Sequence, residues 1–237
     1  MNDLTIVYYT ANTIPDITGQ RIRDNLLKVT GNQFPIISVS QKPLDFGQNV
    51  CVGEIGKSKY NCYKQILIGV GKVKTKYVAC AEDDTLYSID HFMYKPEEGV
   101  FSYDRNYWLA DKNFYWRIDD VSKRGGMWGC ISAAQTLRDN LAARYALYPT
   151  DPLSDYNKFL QWGEPGFADH LFGLQTQVTY TDSKNPSVIF QHFEAMGSKQ
   201  LRRWGSRYGK NKPENIAYNV GPFGPIKKLW ETYWSNV

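Results

Sequence analysis

The chain has 237 residues, with 28 Lys and Arg against 24 Asp and Glu and a formal net charge of +4. Hydrophobic residues make up 42% of it, which is ample for a buried core and argues against wholesale disorder. The net charge is too small for a polycation, and no apolar run approaches the roughly 20 residues that span a bilayer. We therefore expect a globular chain without a transmembrane segment.

The first half alternates strand and helix patterns. In chain order these are a strand over Leu4–Thr10, a helix after Thr18 that Gly31 ends, a strand over Phe34–Ser40, a helix capped by Ser58 with its apolar face reaching Val70, and a strand over Tyr77–Ala81. A β-α-β-α-β order within about 80 residues predicts a parallel sheet with right-handed crossovers.

The second half is less regular. It predicts strands over Val100–Tyr103 and Asn113–Ile118, a flexible loop over Gly125–Gly129, a helix opened by a Ser132–Gln135 capping box, a helix from Asp151 to near Gly163, another helix from Glu164, and a strand over Val188–Phe190. From about residue 211 the chain is rich in Pro, Gly and aromatic residues, which indicates a tail that wraps the domain.

Cysteine usage and the N-terminus indicate the compartment. Cys51, Cys62, Cys80 and Cys130 form no CxxC pair and no metal-ligand spacing. The N-terminus passes directly into a strand pattern, without the basic and apolar regions of a secretory leader. We expect a soluble protein of a reducing, cytoplasmic compartment.

Three consecutive acids, Glu82, Asp83 and Asp84, follow the buried strand Tyr77–Ala81. Carboxylates packed at a strand end repel one another unless a cation joins them. If the segment stays extended, Glu82 and Asp84 point to the same side and can hold one Mg²⁺ or Mn²⁺. The alternative is an acidic turn at the end of a strand.

This arrangement resembles the GT-A glycosyltransferases, which use nucleotide-sugar donors. The resemblance rests on the βαβαβ half that ends in an Asp-x-Asp-type triplet, and it extends from Leu4 to about Trp204. It implies an α/β fold with a mixed, Rossmann-like sheet flanked by helices. It also implies one transferase domain over residues 1–210, with a nucleotide-binding half at 1–90, an acceptor half at 91–210 and a wrapping tail at 211–237.

The resemblance assigns the donor side of the site. Asp84 would be the principal ligand of Mn²⁺ or Mg²⁺ and Glu82 the second, while Asp83 would contact the ribose or diphosphate. The loop of Thr10, Ala11 and Asn12 would hold the base and ribose of a nucleotide sugar, which we expect to be a UDP-sugar. His192, after the strand Val188–Phe190, resembles the late metal-binding His of many such enzymes; the alternative is a structural His near a strand end. Lys199 and Arg202 would neutralise the departing diphosphate.

A general base must take the proton of the acceptor hydroxyl if the reaction inverts the sugar configuration. The segment from Trp162 to Phe172 resembles the region that carries this base, and matching Phe172 places it at Asp169. Glu164 is the second candidate and His170 the third. In the alternative interpretation, Asp169 faces solvent on a helix, and Glu164 is an acid at a helix N-terminus, where the helix dipole favours negative charge. Without a base here, a retaining mechanism must be considered.

The acceptor side is predicted from two features. The segment with Gly126 and Trp128 resembles the acceptor loop of the family. The alternative is a flexible surface loop whose Trp is folded into the core. The basic, aromatic stretch at 199–212 resembles phage-type enzymes that glycosylate hydroxymethylated bases in DNA, which would place the protein in the host cytoplasm. The alternatives are a transferase that builds a surface glycan or capsule, and a non-catalytic nucleotide or nucleic-acid binding module.

Overall fold

The computed structural model describes residues 3–118, 125–150, 164–192 and 212–234. Its strands are β1 Leu4–Thr10, β2 Ile36–Ser40, β3 Gln48–Cys51, β4 Tyr77–Glu82, β5 Thr85–Leu86, β6 Val100–Asp104, β7 Tyr107–Ala110, β8 Tyr115–Trp116, β9 Cys130–Ala133, β10 Gln177–Thr181, β11 Ser187–Phe190, β12 Ile216–Ala217, β13 Asn219–Val220 and β14 Gly224–Pro225. Its helices are α1 Asp16–Thr30, α2 Lys59–Val70, α3 Ala134–Leu147 and α4 Ile226–Trp234. The predicted α/β class is confirmed.

The main sheet has seven strands in the order β10-β6-β9-β4-β1-β2-β3. Strands β1 to β4 pair in parallel, as the βαβαβ pattern predicts, and β9 enters antiparallel between β4 and β6. Helices flank this mixed sheet, and α2 lies so close that a Cβ on Gly69 would come within 2.6 Å of Val7. This topology sets the ends of β1 and β4 side by side at one edge.

A second sheet joins the later strands in the order β12-β8-β7-β11-β5. Its pairing of β11 with β5 is antiparallel and lies directly after the acidic triplet. The C-terminal helix α4 packs on this sheet, where Phe190 contacts the rings of Trp230, Tyr233 and Trp234. The Thr18 hydroxyl donates to the Tyr233 carbonyl at 2.7 Å, which ties α4 to α1.

The predicted ends of two helices are confirmed, because each depends on residues within or next to the helix itself. Ser58 caps α2 by accepting from the Asn61 amide at 3.1 Å, and Gly31 ends α1 in the left-handed conformation. The helix α1 begins at Asp16, so Thr18, which was predicted to precede the helix, lies inside its first turn. Strands β3, β5, β7, β9, β10 and β12 to β14 were not predicted, and the predicted strand over Asn113–Ile118 shortens to β8.

Two predicted helix starts are wrong. Ser132 lies inside β9 and does not cap α3, whose cap residue Ala133 has no side-chain hydrogen bond. The segment from Glu164 forms only a short 3₁₀ turn at Asp169–Phe172, because Gly166 and Gly173 adopt left-handed backbone angles that interrupt a helix. The predicted helix from Asp151 to near Gly163 lies outside the described residues.

Candidate active site

A cavity of about 370 Å³ opens where the adjacent parallel strands β1 and β4 end. Open parallel sheets place their ligand sites at this edge. The lining includes nine of the residues predicted from the sequence, namely Thr10, Ala11, Glu82, Asp83, Asp84, Gly126, Trp128, Glu164 and His192. Residues from both halves of the chain therefore meet in one cavity.

Each acid of the triplet has its own partner. Glu82 is the last residue of β4, and its Oε1 accepts from the Tyr9 hydroxyl at 2.5 Å. The chain then turns, so Asp83 accepts from the Thr10 hydroxyl and Asp84 lies beside His192. The strand ends at Glu82, so the triplet does not stay extended and the condition for Glu82 and Asp84 to point to the same side is not met.

Two of the predicted metal ligands, Asp84 and His192, lie next to each other. Asp84 Oδ2 lies 3.4 Å from His192 Nε2, and both residues are 9% exposed. Pairing of β5 with β11 produces this contact, since the Phe190 amide donates to the Asp84 carbonyl at 2.9 Å. His192 follows two residues later.

Burial raises the pKa values of two acids of the triplet. Burial raises the pKa of the Glu82 carboxyl to about 8, and the charge of Asp84 adds to this shift. Burial, followed by the same charge, raises the pKa of Asp83 to about 6. Raised carboxyl pKa values mean that the cavity disfavours several negative charges at once, so a bound cation would relieve them.

The residues fit a divalent cation in part. Within the described residues, no group of three His, Cys, Asp or Glu is placed to hold a metal ion. The predicted set of Glu82, Asp84 and His192 is thus not assembled, because Glu82 is turned toward Tyr9. Asp84 and His192 remain as an adjacent oxygen and nitrogen donor, a pair suited to Mn²⁺ with other ligands from a substrate.

The predicted donor loop is fixed by Asn12, which lies outside the lining itself. Its backbone φ is 54°, and its amide donates to the Thr10 hydroxyl at 2.8 Å. Its side-chain oxygen accepts from the amides of Gln41 and Lys42 at 2.8 and 3.0 Å. Asn12 therefore joins the end of β1 to the segment after β2 and shapes this side of the cavity.

The cationic side of the cavity was not predicted from the sequence. Lys57, Ser58 and Lys59 line it at the N-terminus of α2. A helix N-terminus with adjacent lysines attracts phosphate groups. The predicted cap at Ser58 already placed a helix N-terminus beside two lysines, which is a signal for phosphate binding. The sequence prediction assigned the diphosphate contacts to Lys199 and Arg202 instead. Those two residues lie outside the described part of the chain.

The two candidate bases lie in different surroundings. Glu164 lines the cavity, and its Oε2 accepts from the Tyr63 hydroxyl at 2.5 Å. Asp169 is buried outside the described lining, where it accepts from the Gly166 amide at 2.9 Å and from the Thr176 hydroxyl and lies 3.5 Å from Arg144. A base must reach its substrate, so the geometry favours Glu164 over Asp169. His170 is exposed and also lies outside this lining.

The loop that begins at Gly125 and Gly126 also lines the cavity and is tightly packed. Met127–Gly129 forms a 3₁₀ turn, and the buried Trp128 ring meets Tyr107 edge-on at 4.6 Å between centroids. A Cβ on Gly126 would lie 2.5 Å from the Trp128 indole nitrogen. The neighbouring ring therefore leaves no room for a side chain at Gly126, and the predicted loop includes a packed 3₁₀ turn.

No protein-family model and no curated protein matches the chain. Among solved structures, the bifunctional IspDF of Campylobacter jejuni is 8% identical, with a TM-score of 0.43 over 78% of this chain and 50% of that one. A nucleotidyl transferase of Methanothermobacter is 11% identical, with a TM-score of 0.43 over 78% and 88%. The glycosyltransferase GlyE of Streptococcus pneumoniae is 10% identical, with a TM-score of 0.45 over 98% and 60%.

The chain thus spans about half the length of IspDF and 60% of GlyE. At TM-scores this low, the similarity assigns neither family nor function to the chain. Across the described residues, no helix is long and apolar enough to cross a membrane.

Proposed function

We propose that the protein is a metal-dependent glycosyltransferase of the GT-A type that moves a sugar from a nucleotide sugar to an acceptor hydroxyl. The observation that carries this proposal is the contact between Asp84 and His192 in the same cavity as Glu164. A metal-ligand pair and a separate carboxylate base are what such a transfer needs.

The donor would lie along the edge formed by β1 and β4. The segment of Thr10, Ala11 and Asn12 would face the base and ribose, and Asp83 would contact the ribose or diphosphate. Lys57 and Lys59 would face the phosphates from the N-terminus of α2. We expect a UDP-sugar, as the resemblance to GT-A enzymes implies.

Asp84 and His192 would hold Mn²⁺ or Mg²⁺ together with the diphosphate. The ion, when bound, supplies charge stabilisation for the departing nucleoside diphosphate. Glu82 would remain outside the direct ligands in the geometry seen here, because its carboxylate is engaged by Tyr9.

Glu164 would accept the proton of the acceptor hydroxyl. Tyr63 donates to Glu164 Oε2, and burial followed by the Glu164 charge raises the pKa of the Tyr63 phenol well above its usual value. Tyr63 therefore stays protonated and orients the carboxylate. The acceptor oxygen would bond to the anomeric carbon as the bond from that carbon to the phosphate oxygen breaks, which inverts the configuration.

The acceptor expected from the basic stretch at 199–212 is a hydroxymethylated base in phage DNA, and nearly all of that stretch lies outside the described residues. A glycan hydroxyl is the alternative. Transfer of labelled sugar to DNA with 5-hydroxymethylcytosine, compared with unmodified DNA and with oligosaccharides, distinguishes the two.

The test of the proposal is a panel of nucleotide sugars with Mn²⁺, with released nucleotide as the readout. Activity should vanish with EDTA and in Asp84→Asn, and persist in Glu98→Gln, which replaces an exposed acid outside the cavity. The proposal fails, and a non-catalytic binding module is favoured, if no donor is turned over and UDP with Mn²⁺ gives no thermal shift that depends on Asp84.

A further inference from the structure

The lining of the candidate active-site cavity has two parts of different chemistry. The part formed by the end of β1 and the start of α2 is polar and cationic, and it includes Thr10, Lys57 and Lys59. Another part is apolar and is called the apolar wall below; its members are Tyr107, Leu109, Ile118, Met127 and Ile189. The proposed nucleotide accounts for the polar part and leaves the apolar wall without a ligand.

Strand pairing in the second sheet builds most of the apolar wall. Leu109 of β7 pairs with Ile189 of the parallel strand β11, so their side chains lie next to each other on one face. Tyr107 precedes Leu109 by two residues and therefore shares that face. Ile118 follows β8, whose Trp116 pairs with Leu109, and it packs on the same hydrophobic core. The apolar wall is thus formed by a sheet face.

The surroundings of Tyr107 are electrically neutral. Burial raises the pKa of the Tyr107 phenol to about 12, and it is the sole cause of this shift. The pKa values of Glu82 and Asp83, in contrast, are raised further by the charge of Asp84. A phosphate or carboxylate placed against the apolar wall would lose its hydration without gaining a counter-charge. This part of the cavity therefore favours an uncharged ligand.

The apolar wall begins next to the proposed metal pair. Ile189 and Gln191 both line the cavity, and the amide of Phe190 between them donates to the Asp84 carbonyl at 2.9 Å. His192, which follows Gln191, lies 3.4 Å from Asp84. A ligand on this wall is therefore adjacent to the place where the diphosphate would be held.

The apolar wall is also joined to the segment of the proposed base. The Trp128 ring packs edge-on against the tyrosine of the wall. In the same loop, a Cβ on Gly125 would lie 2.1 Å from the Tyr103 ring, so the loop packs tightly on that ring. The Tyr103 hydroxyl donates at 2.7 Å to the carbonyl of Pro165, the residue after Glu164. The wall therefore connects the metal pair with the segment that carries Glu164.

Gln191 supplies a polar group beside the apolar wall. It is half-buried, and it lies on the same side of the chain as Ile189, two residues earlier. A side-chain amide can donate to or accept from a ligand hydroxyl. A sugar ring against this wall would bury several hydroxyl groups without partners, at a cost of roughly 1–3 kcal/mol each. The wall thus suits a molecule with few hydroxyl groups.

We propose that the acceptor is a neutral alcohol whose hydroxyl is carried on an apolar framework, aromatic or aliphatic, and that the apolar wall binds this framework. Its role as the acceptor rests on the proposed glycosyltransferase function, whereas its binding does not. In the transfer, the alcohol oxygen bonds to the anomeric carbon and its proton passes to Glu164. The nucleoside diphosphate leaves with the electron pair of the broken carbon–oxygen bond.

The experiment titrates the full chain, labelled with ¹³C at the isoleucine methyl groups, with benzyl alcohol, 1-hexanol, glucose and 5-hydroxymethylcytidine. At least one of the two alcohols should shift the methyl signals of Ile118 and Ile189 saturably in the absence of a donor. Glucose and 5-hydroxymethylcytidine should give no saturable shift at the same concentrations. With a donor that is turned over, the alcohol that binds should also increase the release of nucleotide.

A pair of matched variants tests the apolar wall itself. Ile118→Asn should weaken binding of the alcohol about fivefold, measured at the Ile189 methyl, because an apolar contact is lost. Ile118→Leu should keep the affinity near that of the wild type. Ile89→Asn is the control, since Ile89 packs on the same core as Ile118 and does not line the cavity. If Ile118→Asn fails to fold, the wild-type shifts of the two methyl signals decide the question.

Three results would overturn the proposal: no saturable shift with either alcohol, tighter binding of glucose or 5-hydroxymethylcytidine, or equal weakening in Ile118→Asn and Ile89→Asn. Binding of the alcohol by a protein that turns over no nucleotide sugar would keep the binding site and remove the glycosyltransferase function. Transfer to a sugar or to DNA, with none to either alcohol, would keep that function and remove the proposed acceptor class.

Discussion

The indole ring of Trp234 lies against the imidazole ring of His192, with centroids 5.2 Å apart and planes inclined by 31°. Because this contact orients a candidate metal ligand, we expect Trp234→Leu to weaken Mn²⁺ binding about tenfold, as changes behind metal ligands commonly do. Calorimetric titration with Mn²⁺ measures the effect. The matched control is Trp230→Leu, since Trp230 lies in the same helix as Trp234 and packs on Trp234 and on Phe190 of β11. Equal losses in the two variants would mean that α4 only stabilises the fold.

Replacing Glu82 by Gln should stabilise the metal-free protein at neutral pH. The folded pKa of Glu82, about 8, lies above its unfolded value, so its protonated form is favoured by folding. Its stabilising contribution is complete below the unfolded pKa and is lost as the pH rises through about 8. Glu82→Gln should therefore match the wild type near pH 4 and exceed it by on the order of 2 kcal/mol near pH 8.

Thermal unfolding across this pH range, with EDTA present, provides the measurement. The variant can keep the Tyr9 hydrogen bond, because the Gln carbonyl also accepts. Glu98→Gln, at an exposed position, should show no such pH-dependent gain. A Glu82→Gln variant less stable than the wild type at pH 8 would show that a neighbouring positive charge compensates the carboxylate.

Glu164 and Asp169 can be separated by kinetics and stability. Glu164→Gln should lower kcat about 10²–10⁴-fold with little change in unfolding temperature, as loss of a general base does. Asp169→Asn should mainly lower stability, because it breaks a buried pair with Arg144 and loosens the Gly166 turn. The reverse pattern would return the base to Asp169. Tyr63→Phe should give an intermediate loss of kcat, since it removes only the donor that orients Glu164.

Asn12 offers a test of the donor loop. Asn12→Gly keeps the left-handed backbone but removes the acceptor for the amides of Gln41 and Lys42, so the KM for the donor should rise about fivefold. Asn12→Asp retains an acceptor and should stay closer to the wild type. Initial rates at varied donor concentration give both values, and a change in kcat alone would argue against a donor-binding role.

The parts of the site carried by one strand or helix could be predicted from the sequence. The acids after β4 and the Ser58 cap of α2 follow from local patterns. The partners of those acids could not, because Tyr9 and His192 reach them through strand pairing over long sequence distances. The burial of Asp169 could not be predicted for a related reason: its contact with Arg144 is set by packing of α3, which no motif encodes.

The antiparallel pairing of β5 with β11 has a consequence for biosynthesis. Glu82 and Asp83 meet Tyr9 and Thr10 as soon as β1 and β4 pair, but Asp84 meets His192 only after β11 has joined the second sheet. Domains fold as the chain leaves the ribosome, and contacts distant in sequence form late. A nascent chain would thus carry a structured edge of β1 and β4 before Asp84 meets His192, and the proposed metal site would be complete only when β11 is in place.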